Sequence, residues 1–274
     1  MSFKPLREKP GERRFRRVSH VVLAVVGVGI CAGAGSVPLP PSFVDVSSYD
    51  LRIATSIRYA TEENFTGAVV PGYRAPRAIL TEAAARALSR AQDAFKAQGY
   101  RLVVYDAYRP ASSVRAFVAW TGKPSRDRER RRYFPTIGKD RLLPSGYIAE
   151  RSRHSSASTV DVSLLAKGRA LGPVTEMPRK LADGTAIQWL DDGTVDMGTS
   201  WDFFGPASRW GSSLVSASAR ANRQRLREGM VAAGFEPFDD EWWHFSLKHE
   251  PFPGQSFDFP IDRGILLEPK PDHW

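Results

Sequence analysis

The sequence predicts an α+β fold with an antiparallel flavour. Three observations carry that prediction: helical and β-rich segments follow one another in mixed order, the β-rich runs are short and bounded by turn signals, and 42% of the residues are hydrophobic, enough to bury a core. Over 274 residues this composition excludes the disordered and low-complexity classes. A single cysteine excludes an intrachain disulfide, four-cysteine zinc ribbons and CxxC redox chemistry.

Thr81 is placed to N-cap a helix from Glu82 to about Gln98, with Gly99 as its stop; Ala84, Leu88, Ala91 and Phe95 give it one apolar face. Tyr100 to Tyr105, "YRLVVY", reads as a buried strand, and a second helix is expected from Ala111 to about Thr121. The run Arg126 to Arg132 is expected to be a solvated helix face or loop. Thr159 to Leu165 is β-branched and apolar, a strand. Long loops or a hairpin are expected over Lys167 to Gly198, a helix over Ala219 to Ala233 ending at Gly234, and a strand over Trp242 to Leu247.

The N-terminus reads as an address. Arg13-Arg14-Phe15-Arg16-Arg17 precedes an apolar stretch from Val21 to Ile30 and the small residues of Ala32-Gly33-Ala34, the pattern of an export signal over 1–34 cleaved after Ala34. The apolar stretch is short for a bilayer span, which needs ~20 residues. An uncleaved anchor and lipidation at Cys31 are the alternatives, and the bulk of Ile30 stands against the second. A proline-rich linker is expected over 35–48 and one catalytic domain over 49–274, exported to the periplasm or beyond; membrane contact is expected only through the N-terminal segment. Seven basic and two acidic residues give 1–17 a charge of +5, which leaves +4 of the chain's +9 for the rest. The high isoelectric point therefore makes no case for a nucleic-acid partner.

Three motifs carry chemistry. In "SRHSSASTVDVSL", His154 and Asp161 are seven apart, an odd offset that sends them to opposite faces of one strand unless His154 lies on a loop leading into it. In "DDEWWHF", Glu241 and His244 reach one site only if the chain kinks at Trp242-Trp243. Aromatic walls there would raise the pKa of a carboxylate toward that of a general base; the alternative is a core strand with an exposed Glu and a satisfied His. Two His, one Asp and a water make a four-coordinate catalytic zinc site, whereas His249 lies past the strand. In "YDAYRP", Asp106 and Arg109 end a buried strand, and Arg109 either faces an oxyanion or pairs with a carboxylate as structural glue.

Together "YDAYRP", "SRHSSASTVDVSL", "DMGTSWDFFG" and "EWWHF" resemble the zinc D-alanyl-D-alanine dipeptidases of the VanX type, in order and spacing, over roughly Asp50 to Asp262. The resemblance implies His154, Asp161 and His244 as ligands of one Zn2+, Glu241 as catalytic base, Arg109 as the group stabilising the tetrahedral intermediate, Asp202 for the substrate ammonium, and Tyr59 and Ser152 as further binders of a small D,D-dipeptide. It implies a small antiparallel sheet flanked by helices, the fold shared with zinc D,D-carboxypeptidases and hedgehog domains. A carboxypeptidase acting on wall stem peptides and a non-catalytic wall-binding module are the alternatives. Two departures stand out: Ala157 replaces the family's loop glycine, which predicts strain if positive φ is required there, and Thr159 replaces a small alanine. The stretch between Leu165 and Met197 is longer than the family norm and predicts a lid. Oligomeric state is not legible in the sequence.

Overall fold

The central sheet is built on two strands of seven and eight residues, and most neighbouring strands come from distant parts of the chain. The computed structural model describes residues 42–263. The elements are β1 (Phe43–Asp45), α1 (Val46–Tyr49), β2 (Ala54–Thr55), β3 (Ile79–Thr81), α2 (Glu82–Ala97), β4 (Tyr100–Asp106), α3 (Ala111–Thr121), α4 (Asp127–Tyr133), β5 (Thr159–Ala166), β6 (Thr175–Lys180), β7 (Ala186–Asp191), α5 (Ala217–Ala232), β8 (Phe235–Pro237) and β9 (His244–Leu247). The export signal expected over 1–34, the first residues of the expected linker, and His20, Cys31 and His273 lie outside the described residues. Among the described residues no helix is long and apolar enough to cross a membrane.

The five-stranded sheet runs β2-β4-β5-β9-β8. Its pairings are antiparallel except that β2 runs parallel to β4. α2 and α5 pack on the sheet and on each other. Thr81 caps α2 as its sequence predicts, its hydroxyl accepting from the Ala84 N–H, and Gly99 follows the helix at φ +81°.

Two expectations are corrected, and one is met with an exception. The linker over 35–48 ends sooner than its prolines suggest: β1 pairs with β3, and the Phe43 ring packs against Phe252, Phe257 and Phe259, so this apolar residue ties the segment to the domain. The charge run is mostly the solvated helix face expected, with Arg126, Asp127, Arg128, Arg130 and Arg131 exposed, but Glu129 and Arg132 are buried. It forms α4, where Arg132 is buried and pairs with Glu63 (2.7 Å) and Glu176 (3.4 Å), joining the loop after β2 to the hairpin β6-β7. The long stretch between Leu165 and Met197 does form a hairpin, but it packs on α4 and supplies no wall of the catalytic cleft described below, so it is not a lid.

One irregularity matters for function. Along β4, Leu102, Val104 and Asp106 would share a face by simple alternation. A register shift between Val104 and Asp106 turns Asp106 to the other face, opposite Asp161 of β5, which in turn sits opposite His244 of β9. Three polar side chains thus form a row across three strands.

Gly229 of α5 lies against the Phe95 ring of α2, and a Cβ there would come 2.3 Å from it. Gly229→Ala gains ~1 kcal/mol of helix propensity but overpacks a site where such insertions cost ~1–3 kcal/mol. A lower urea midpoint is expected; an unchanged or higher one would show that Phe95 can yield.

Candidate active site

The seven-residue offset between His154 and Asp161 is resolved by a turn. Ser152 caps a 3-10 turn over Arg153–Ser156, its hydroxyl accepting from the His154 N–H, and Ala157 follows at φ +60° before β5 begins. The strained alanine expected from the sequence is therefore present: a left-handed residue with a Cβ, fully buried, whose carbonyl accepts from the Thr81 N–H. The chain also turns at Trp242-Trp243, where the His244 N–H donates to the Glu241 carbonyl, so both side chains reach one site.

His154 donates from Nδ1 to the Ala107 carbonyl (2.7 Å), which fixes the tautomer and leaves Nε2 as the lone-pair nitrogen. That Nε2 lies 3.1 Å from Asp161 Oδ1 and 3.3 Å from His244 Nδ1, and Asp161 Oδ1 is 3.2 Å from His244 Nδ1. The three atoms form a near-equilateral triangle. A tetrahedral zinc with bonds of ~2.0–2.1 Å has ligand-to-ligand edges of about 3.3–3.4 Å. The donor set fits that ion in kind, number and spacing. His249 is exposed beyond β9 and takes no part.

Around the triangle stand the other groups. Glu241 Oε2 is 3.5 Å from His244 Nδ1. Arg109 donates from Nε (2.9 Å) and Nη2 (2.8 Å) to Asp106 Oδ2, and its Nη1 points to the Ser152 hydroxyl at 3.5 Å. Its guanidinium carbon stands 5.3 Å from the ring centres of both Tyr59 and Phe117. Structural glue and a cleft-facing donor are thus the same arginine. Tyr59 donates to Asp202 Oδ2 at 2.7 Å, and Asp202 itself adopts φ +60°. These residues line a cleft of about 280 Å³, whose outer wall comes from Tyr147, Ile148 and Arg151. All eight residues singled out in the sequence border it.

The electrostatics follow from crowding acids in a buried place. Burial, then the Asp161 and Asp202 charges, push the Glu241 carboxyl well above its usual range. Burial and Asp161 do the same to Asp202. Burial alone would also raise Asp161, but the two imidazoles, His154 foremost, hold it below the ordinary carboxylate range. Burial lowers His244, with Asp161 opposing. Four acidic side chains, Asp106, Asp161, Asp202 and Glu241, crowd around the guanidinium of Arg109, an excess that suits a divalent cation.

The motif places Asp106 beside Arg109, but no motif assigns a role to Tyr73, the Ala107 carbonyl or Trp201. Tyr73 donates to Asp106 Oδ1 (2.6 Å), and the Trp201 indole donates to Asp161 Oδ2 (3.1 Å). Only the adjacency of Trp201 to Asp202 could have drawn attention to it.

An α+β domain with a two-histidine, one-aspartate cluster beside a glutamate has the make-up of a metallopeptidase. The peptidase M15 family, described as D-ala-D-ala dipeptidase, matches residues 41–179 and 173–262, and the chain belongs to that family of zinc-dependent hydrolases. It is 34% identical over 205 residues to a D-alanyl-D-alanine dipeptidase of Enterococcus faecium and 37% identical over 204 residues to one of Streptomyces coelicolor; each alignment covers 74% of this chain and 90% of the relative. A D-alanyl-D-alanine dipeptidase of Escherichia coli is 26% identical over 198 residues, 72% of this chain and 79% of the relative.

The cluster predicts uptake of one zinc per chain and a matching gain in stability, on the order of 4 kcal/mol when free zinc exceeds Kd a thousandfold. Metal analysis and thermal unfolding after chelation check this, and Asp161→Ala is expected to remove both the metal and the gain.

Proposed function

We propose that this chain is an exported zinc peptidase that hydrolyses the free dipeptide D-Ala-D-Ala, with His154, Asp161 and His244 holding the metal, Glu241 as general base and Arg109 as oxyanion stabiliser. The observation that carries the reading is the placement of Glu241 beside His244 (3.5 Å) and of Arg109 beside Asp161 (3.7 Å) at the ligand triangle, with Asp202 and Tyr59 in the same small cleft. The printed activity of the relatives supports the substrate.

Zinc bound to the three ligands supplies a Lewis acid that lowers the pKa of water toward about 7 and polarises the scissile carbonyl. Glu241 takes the proton of the attacking water as the new C–O bond forms, and delivers it to the leaving amine as the C–N bond breaks. Its raised proton affinity suits it to hold that proton between the two events. Arg109 is braced by Asp106 through Nε and Nη2, which leaves Nη1 to meet the developing oxyanion. The brace fixes the guanidinium before substrate arrives, so little is lost in ordering it.

A free dipeptide is a zwitterion. Asp202, aligned by the Tyr59 hydroxyl, is the anion for its ammonium, and Ser152 is a donor within reach of its polar groups. An N-acylated peptide lacks the ammonium and would leave a buried carboxylate unpaired. This is the argument for a dipeptidase over a wall carboxypeptidase; that alternative draws on the export signal and on the Leu165–Met197 stretch, and the stretch lines none of the cleft. A binding module has no use for Glu241.

Export rests on the basic and apolar segments of 1–34, and a mature N-terminus near Gly35 is its expected signature in protein purified from an exporting host.

The direct test is release of D-alanine from free and from N-acylated D-Ala-D-Ala, with and without chelator. Chelator-sensitive cleavage confined to the free dipeptide is expected; faster cleavage of the acylated peptide would remove Asp202 from the ammonium and reassign the enzyme. Glu241→Ala is expected to keep zinc and lose nearly all kcat, and retained turnover would move the base elsewhere. Arg109→Ala is expected to lose ~2–4 kcal/mol of transition-state stabilisation, read from kcat/KM.

A further inference from the structure

We propose that Trp201 is a positioning residue for the metal: its indole N–H selects which oxygen of Asp161 faces the two imidazoles. The inference rests on the reading of His154, Asp161 and His244 as the ligand set, and it adds a determinant of metal affinity outside that set.

The two oxygens of Asp161 have different company. Oδ1 lies 3.1 Å from His154 Nε2 and 3.2 Å from His244 Nδ1. Oδ2 accepts from Trp201 Nε1 at 3.1 Å. A carboxylate whose far oxygen is bound in this way can present only the near one, and does so in one orientation. The donor is neutral, so Asp161 keeps its full negative charge for a cation. The alternative partner for Oδ2 is Arg109, whose Nη2 lies 3.7 Å away. Without the indole, Asp161 would turn further toward that guanidinium and tighten an ion pair that now stands at 3.7 Å.

The indole is itself held. Trp201 is buried, stacked on Tyr105 (centroids 5.3 Å apart, 23° between planes) and tilted against Tyr59 at 5.0 Å. The Tyr105 hydroxyl donates to Asp192 at 2.7 Å, and Asp192 pairs with the buried Arg58. Asp192 follows directly on β7, so the hairpin that is not a lid reaches the ligand set from beneath, through Tyr105 and Trp201. A buried indole N–H takes an acceptor in any case, so what separates positioning from packing is metal affinity: for a tryptophan needed only for packing, loss of the N–H would leave that affinity untouched once the domain is folded.

The test is the zinc dissociation constant of the full chain, measured by competition with a chromophoric chelator. Trp201→Phe keeps an aromatic ring and deletes the donor; its zinc affinity is expected to fall 10–100-fold, the usual loss for an outer partner of a metal ligand. The Co2+-loaded variant is expected to show a shifted visible spectrum. Because Phe is smaller than Trp, benzothienylalanine introduced at position 201 serves as the second variant: sulfur replaces the N–H while the fused ring stays. It is expected to show the same loss with an unchanged unfolding midpoint for the metal-free protein. Zinc affinity within twofold of the wild type in the benzothienyl variant would overturn the inference while leaving the ligand set intact. A wild-type chain that binds no zinc would overturn the ligand set, and the inference with it.

Discussion

The row formed by Asp106, Asp161 and His244 across β4, β5 and β9 is the constraint on which the cleft depends. Removing a carboxylate from water costs several kcal/mol even after relaxation, and here four lie close together. Each is held by a specific partner: Asp106 by Arg109 and Tyr73, Asp161 by the imidazoles and Trp201, Asp202 by Tyr59. Glu241 has the weakest hold and a side chain 23% open to the cleft. It is the one group that must gain and lose a proton during the reaction we propose.

Local strain is spent where it sets geometry. Ala157 and Asp202 both have positive φ, although neither is glycine. A left-handed residue costs ~1–2 kcal/mol for an L-amino acid, less for Asp. At Ala157 the cost ends the turn that presents His154 and lets β5 start in register with β4. At Asp202 it follows Trp201, so two adjacent side chains serve different ends: the indole meets Asp161 and the carboxylate meets Tyr59. Rigid placement of this kind is what a site needs when 1 Å decides the rate.

Arg109 combines a structural role with the chemical role we propose for it. Two of its nitrogens bind Asp106, and two aromatic rings confine it. The planar fork leaves further N–H groups for the cleft, which a lysine could not do from the same position. The sequence motif offers glue and oxyanion donor as rivals, and the geometry, with Nε and Nη2 on Asp106 and Nη1 toward Ser152, leaves room for the proposed donor beside the glue.

The sequence by itself determined the local features. Thr81 and Gly99 bound α2, the β-branched, apolar run from Thr159 marks β5, and the odd offsets from His154 to Asp161 and from Glu241 to His244 demand a loop and a kink, both found at the expected residues. Such features depend on neighbours a few residues apart, so period and capping reveal them. What only the tertiary structure decided depends on partners far along the chain. The shift at Val104 and Asp106 is set by pairing with β5, and β1 exists because Phe43 finds aromatic rings some two hundred residues later. Arg132 is buried because Glu63 and Glu176 come to it, and the hairpin misses the cleft because α4 holds it. Trp201 is the sharpest case: its place beside Asp202 is local, but its hydrogen bond to Asp161 exists only once β5 is in the sheet, and no spacing within the motif carries it.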